Sequence, residues 1–159
     1  MKRFLSVCVA AAAMLIVCTA PAAAQTLTAT LNAAEETPSF LTGAVGTIEV
    51  SIDQLNQELT VHLSVFNLPA GTTAGHIHIG PKGIAGPVVI NFPIPAGRTD
   101  DLSLAFRVNG KDFVPRPEIG INTMTDAIQA ILLGNSYANV HTTAHPAGEI
   151  RGQLELKTD

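Results

Sequence analysis

Two neighbouring segments of this chain alternate polar and apolar residues without interruption, which is typical of β-strands with one face in a hydrophobic core. The first covers residues 47–53, the second covers residues 59–66, and a polar turn at residues 54–57 separates them. Successive side chains on a strand point to opposite faces, so each segment presents one apolar face. The pattern predicts a β-hairpin.

Further short segments with strand character follow along the chain, and Gly, Pro, Asn and Asp separate them. About eight strands of this kind predict an all-β fold, an antiparallel sandwich or barrel. Proline cannot donate to a strand ladder, so Pro87, Pro93 and Pro95 are expected at sheet edges. The six additional predicted strands cover residues 27–31, 75–79, 87–92, 102–108, 136–143 and 149–156.

One segment departs from the β pattern and predicts a short amphipathic helix over residues 123–133. Its apolar residues follow the helical spacing i, i+3, i+4, i+7 and i+8. Thr123 and Asp126 are placed as the N-cap and N3 residues of a capping box, and Gly134 follows the helix end. The apolar stripe consists of Met124, Ala127, Ile128, Ile131 and Leu132.

The first 24 residues are predicted to be a secretory signal peptide. Lys2 and Arg3 precede an apolar run over residues 4–17, and small residues at 22–24 precede Gln25. The apolar run is shorter than the roughly 20 residues that a membrane span needs, and no second run of that length follows. We therefore expect cleavage after Ala24, a secreted or periplasmic protein with no membrane span, and one β-sandwich domain over residues 25–159.

Removal of this segment changes the chemistry of the remaining chain. Both cysteines, Cys8 and Cys18, lie in it, so a disulfide or a thiolate ligand is not expected in the mature protein. Val17 stands where a lipoprotein signal needs a small residue, and we do not expect lipidation of Cys18. Without Lys2 and Arg3, seven of the nine basic side chains remain against thirteen acidic ones, which makes nucleic acid a poor partner.

Histidines stand out in two places. His76 and His78 are two residues apart in a predicted strand, so their side chains point to the same face. A second pair, His141 and His145, lies near the C-terminus. His62 shares the polar face of its strand and is expected to be exposed to solvent.

The chain resembles the CHRD (chordin-type) domain family, in its bacterial secreted form, from about residue 27 to residue 156. The resemblance implies an exported β-sandwich of immunoglobulin-like, Greek-key type, in a family with no settled biochemical activity. A more distant resemblance links the His-x-His strand to copper/zinc superoxide dismutase, whose disulfide cysteines and full ligand set this chain lacks. The motifs that carry the CHRD resemblance cover residues 43–50, 76–80, 86–89, 137–142 and 148–154.

If the strand of His76 and His78 lies beside the strand of His141, the three imidazoles converge on one face and can bind a metal ion. Glu149 or His145 is then a candidate for a fourth ligand. Nitrogen and oxygen donors without sulfur suit Cu(II) or Zn(II), whereas a Cu(I)-selective site is less expected. Asn139, Thr142 and Glu149 are candidates for the outer hydrogen bonds of the histidines.

Three alternatives stay open at this point. The histidines can belong to a structural network with Glu149 and Arg151, which share one predicted strand face and are expected to form an ion pair. The domain can bind an envelope or extracellular protein, or adhere to a surface, through loops such as residues 93–101 and 111–117. An enzyme of the dismutase type is the weakest alternative, because the sequence contains no nucleophile motif, no paired-carboxylate signature and no organic-cofactor fingerprint.

Overall fold

The computed structural model describes residues 24–158, which form an antiparallel all-β fold with one short α-helix. The predicted signal peptide, with both cysteines, therefore lies outside the described residues except for Ala24. Two single-turn 3-10 helices cover Ala33–Glu35 and Pro117–Ile119. The regular elements are β1 (Gln25–Asn32), β2 (Val45–Asp53), β3 (Glu58–Phe66), β4 (Thr72–Ile79), β5 (Val88–Asn91), β6 (Leu102–Val108), α1 (Met124–Leu132), β7 (Ser136–Thr142), β8 (Ile150–Gln153) and β9 (Glu155–Leu156).

The predicted hairpin is confirmed as the pair β2 and β3. Val50 lies opposite Val61 and Ile48 lies opposite Leu63, so apolar residues face apolar residues across the ladder. These four side chains are at most 2% exposed. The opposite face of the same strands is polar, and a register shift by one residue would bury it.

The strands follow one continuous hydrogen-bonded path in the order β5-β4-β7-β8-β1-β2-β3-β6, and β9 pairs with β1. The segment after β6 also pairs with β5, because Asn91 N donates to Asp112 O and Val114 N donates to Val89 O, both at 2.9 Å. The sheet is therefore nearly closed into a barrel. The two-layer, Greek-key arrangement stays a prediction.

Two details of the predicted strands are informative. Pro87 directly precedes β5, which ends the strand path but also pairs with residues 112–114, so an open-edge position of this proline stays a prediction. The strand predicted over residues 149–156 is divided at Leu154, whose N–H donates to Ser136 O at 3.0 Å. Beyond Leu154 the chain leaves β7 and pairs with β1.

The helix α1 begins with the predicted capping box. Asp126 N donates to the Thr123 hydroxyl at 3.2 Å, and Thr123 N donates to the Asp126 carboxylate at 2.8 Å. The apolar face of α1 is buried, and the helix packs against β4. The helix leads almost directly into β7, and thus places β7 beside β4. In the described range, no helix combines the length and apolarity needed to cross a bilayer.

Candidate metal centre

The pairing of β4 with β7 brings three histidines to one face of the sheet. His76 lies opposite Asn139 and His78 lies opposite Tyr137, while His141 is paired with Ala74. His76 and His78 are two residues apart on β4, as predicted, and their side chains share a face with that of His141. The predicted adjacency of the strand of His76 and His78 and the strand of His141 is confirmed.

The three imidazoles are close enough to share one ion. His76, His78 and His141 each offer one ring nitrogen, and these three atoms lie within 4.8 Å of one another. His76 Nδ1 and His141 Nε2 are hydrogen-bonded at 2.9 Å. His78 and His141 are each 8% exposed and His76 is half-buried, so the group opens towards solvent on the His76 side. The three histidines could hold a metal ion.

Backbone carbonyls orient two of these rings. His78 Nδ1 donates to Gly86 O at 2.8 Å, and His141 Nδ1 donates to Pro146 O at 2.9 Å. A carbonyl only accepts, so each Nδ1 carries the proton and each neutral ring presents the Nε2 lone pair. His76 Nδ1 is then the donor to His141 Nε2, and a bound metal ion would take the place of that hydrogen bond.

The outer hydrogen bonds differ from those predicted. Asn139 is hydrogen-bonded to His78, with its Oδ1 3.1 Å from the ring Nε2. The Thr142 hydroxyl donates to Glu149 Oε2 at 2.8 Å rather than contacting a ring of the cluster. Of the three predicted hydrogen-bond partners, Asn139 therefore contacts a histidine of the cluster, whereas the predicted roles of Thr142 and Glu149 are wrong.

His145 and Glu149, the two candidates for a fourth ligand, lie against each other beside the cluster. Glu149 is fully buried, and its Oε2 is 3.8 Å from His145 Nε2. The His145 ring also stacks on Phe40, with 4.0 Å between ring centroids. The group of nitrogens within 4.8 Å contains only the three histidines of β4 and β7, so a ligand role for this pair stays a prediction.

The expected ion pair between Glu149 and Arg151 does not form. The Arg151 guanidinium donates to the Thr37 hydroxyl and to the carbonyls of Pro81 and Ile84, at 3.0–3.2 Å. Glu149 lies in the bend before β8, where the alternation of strand faces does not apply. His62 is exposed on β3, as predicted.

Burial keeps the three imidazoles uncharged. Burial, with smaller effects of the neighbouring His141 and His78, lowers the pKa of His76 from 6.5 to about 4. Burial is also the main cause that lowers the pKa values of His78 and His141. All three rings are therefore neutral at neutral pH, which is the state in which histidine binds metals.

The metal-free protein should show the effect of His76 on acid stability. Its folded pKa of about 4 is below its ordinary value of 6.5, so the unfolded state binds more protons between these pH values and the His76 contribution is lost as pH falls. Glu36 acts oppositely, because burial raises its pKa from 4.5 to about 7 and its contribution is lost as pH rises. We therefore expect the free energy of unfolding of wild type, relative to that of His76→Ala, to increase as the pH rises from 4 to 6.5. Urea denaturation of both proteins across this range measures the difference, and parallel profiles would contradict the assignment.

The sequence model of the CHRD domain matches residues 27–154, most of the chain and all three histidines of the cluster. The chain belongs to the CHRD domain family. Among curated proteins and among solved structures, no match is found. The predicted family is thus confirmed, and the function of this CHRD domain has to be inferred from its own geometry.

Proposed function

We propose that this CHRD domain is an exported metal-binding module of the cell envelope, which holds one copper or zinc ion at His76, His78 and His141. The observation that carries the proposal is the set of three ring nitrogens within 4.8 Å of one another. Three neutral imidazoles are a common ligand set for both metals and leave a coordination position free for water or another ligand. Export rests on the signal-peptide pattern of residues 1–24.

The contacts of the neighbouring charged residues favour this function over a structural histidine network. The network expected from the sequence joins the rings to Glu149 and Arg151. Among the described residues, Glu149 is engaged by Thr142 and lies near His145, while Arg151 donates to oxygen atoms elsewhere. Neither charged side chain forms a hydrogen bond with the cluster, so the contacts of Glu149 and Arg151 do not account for its assembly.

Metal binding can be measured with a reporter that the chain already contains. Tyr137 is the sole tyrosine of the sequence, which has no tryptophan, and its ring stacks on His78 with centroids 4.7 Å apart and an interplanar angle of 10°. Cu(II) at His78 is expected to quench the tyrosine emission, with saturation at one equivalent, whereas Zn(II), with a filled d shell, should bind without comparable quenching. Calorimetry on protein without an affinity tag gives the stoichiometry. Absence of saturable binding for both metals would refute the proposal.

Elemental analysis of protein purified from the periplasm is an independent test. We expect close to one equivalent of copper or zinc in folded protein prepared without chelators. Folded protein that is free of metal would favour the alternative of a protein-interaction or adhesion domain, and a pull-down from the envelope would then be the next experiment.

A further inference from the structure

A buried column of three side chains joins the metal centre to a charged residue. The Tyr137 ring is nearly parallel to the His78 ring, and the central carbon of the Arg151 guanidinium lies 3.4 Å from the Tyr137 centroid. Two groups at these distances cannot occupy the same face of one ring, so Tyr137 lies between His78 and Arg151. Tyr137 and Arg151 are 3% and 2% exposed, which keeps the whole column away from water.

The positive charge at the end of this column has no close counter-ion. Its hydrogen-bond acceptors are all neutral, namely the Thr37 hydroxyl and two backbone carbonyls. Among residues 24–158, no carboxylate oxygen lies within 4.0 Å of the Arg151 nitrogens. Glu36 is coupled to Arg151 at longer range, and burial raises the pKa of Glu36 to about 7, which weakens its negative charge at neutral pH.

The same column also fixes the position of the His78 ligand. The Tyr137 hydroxyl accepts from Gly86 N at 3.0 Å, and Gly86 O accepts the proton of His78 Nδ1. Arg151 holds the preceding part of this loop through the Pro81 and Ile84 carbonyls. Arg151 can therefore act on the metal centre in two ways, by its charge and by its hydrogen bonds to the loop that orients His78.

We propose that the column of Arg151, Tyr137 and His78 shifts the metal centre towards Cu(I), so that copper in its reduced form is the preferred cargo. This inference rests on the proposed metal-binding function. The three ligands are neutral and Arg151 places a buried positive charge behind Tyr137 and His78, so Arg151 repels an ion of charge +2 more strongly than an ion of charge +1. Cu(I) accepts two or three nitrogen ligands without needing an anion to neutralise it. The lack of thiolate ligands argues against Cu(I) from the sequence alone. The stronger repulsion of Cu(II) by Arg151 offsets this disadvantage.

The electrostatic effect of Arg151 predicts a fixed relation between the changes in Cu(I) and Cu(II) affinity. Coulomb energy is proportional to the charge of the ion, and the logarithm of affinity is proportional to energy. Removing the positive charge should therefore increase the Cu(II) affinity by the square of the factor that applies to Cu(I). For a partly screened charge about 10 Å from the ion we expect about ten-fold for Cu(II) and about three-fold for Cu(I).

The test compares wild type, Arg151→Gln and the charge-conserving Arg151→Lys. Cu(I) affinities are measured under ascorbate with a chromophoric Cu(I) chelator as competitor, and Cu(II) affinities are measured by competition with glycine. Arg151→Gln should gain affinity for both ions with the unequal factors above, while Arg151→Lys should keep the wild-type ratio of Cu(I) to Cu(II) affinity. Equal changes for both ions in Arg151→Gln, or a loss of both, would indicate a role in loop position only and would overturn the proposal.

A measurement on wild type covers the case in which Arg151→Gln does not fold. The midpoint potential of copper in the protein is expected to be higher than that of copper in imidazole buffer, where neutral imidazoles bind without a nearby cation. An equal or lower potential would overturn the proposed preference. If wild type binds neither copper nor Zn(II), the proposed function fails as well, whereas normal metal binding without the preference leaves that function intact.

Discussion

Replacing His76 and His141 together by alanine is expected to weaken the binding of Cu(II) and Zn(II) by more than about 100-fold. Loss of a single outer-shell partner typically costs 10- to 100-fold in metal affinity, so loss of two ligands should cost at least as much. The variant retains only His78, whose ring is still oriented by Gly86 O. Calorimetry and the quenching of Tyr137 emission by Cu(II) measure the effect.

The matched control is His62→Ala, which removes an exposed histidine on β3, a strand that does not adjoin β4 or β7. This variant should bind both metals as wild type does. Thermal denaturation of both metal-free variants shows whether the fold persists. Unchanged metal binding by the double variant would place the ion elsewhere, and the histidines of β4 and β7 would then be structural.

The hairpin and the helix could be predicted because local patterns determine them. The alternation over residues 47–53 and 59–66 places Val50 and Val61 on the buried face, and a shift by one residue would bury the polar face instead. The capping box of Thr123 and Asp126 is a contact across three residues, which a sequence displays directly. By contrast, the closure of the sheet through residues 112–114 depends on the path of a loop, and no residue pattern indicates it.

The three histidines of the candidate site could be predicted from the sequence, but the groups that orient their rings could not. The spacing of His76 and His78 fixes a shared face on any strand, and only the position of His141 depended on the order of the strands. The carbonyls of Gly86 and Pro146, which orient the rings, belong to the backbone, and every residue has such a group. Their role follows from the course of two loops, on which sequence patterns give no information.

The predicted ion pair between Glu149 and Arg151 was wrong because of where β8 begins. The predicted ion pair assumed that Glu149 and Arg151 lie on one strand, whereas β8 begins at Ile150. Gly148, with φ of 145°, turns the chain just before Glu149, so the two side chains point into different surroundings. Tyr137 and Arg151 lie on the neighbouring strands β7 and β8, and their stacking follows from the pairing of these strands, in which Tyr137 lies opposite Gln153.

Gly86→Ala is expected to reduce both the stability of the fold and its affinity for metal. A Cβ atom on Gly86 would overlap the Ile79 carbonyl, which is backbone and cannot rotate away. We expect the free energy of unfolding to fall by about 3 kcal/mol, the upper part of the range for overpacked sites.

The displaced loop would also move Gly86 O away from His78 Nδ1, which should weaken Cu(II) binding by about 10- to 100-fold in the protein that remains folded. Gly43→Ala is the matched control, because a Cβ atom at Gly43 meets nothing within 4 Å. Urea denaturation and copper titration of the two variants measure both effects. Equal stability of the two variants would show that Gly86 does not approach Ile79 closely, and the orientation of His78 by this loop would lose its structural basis.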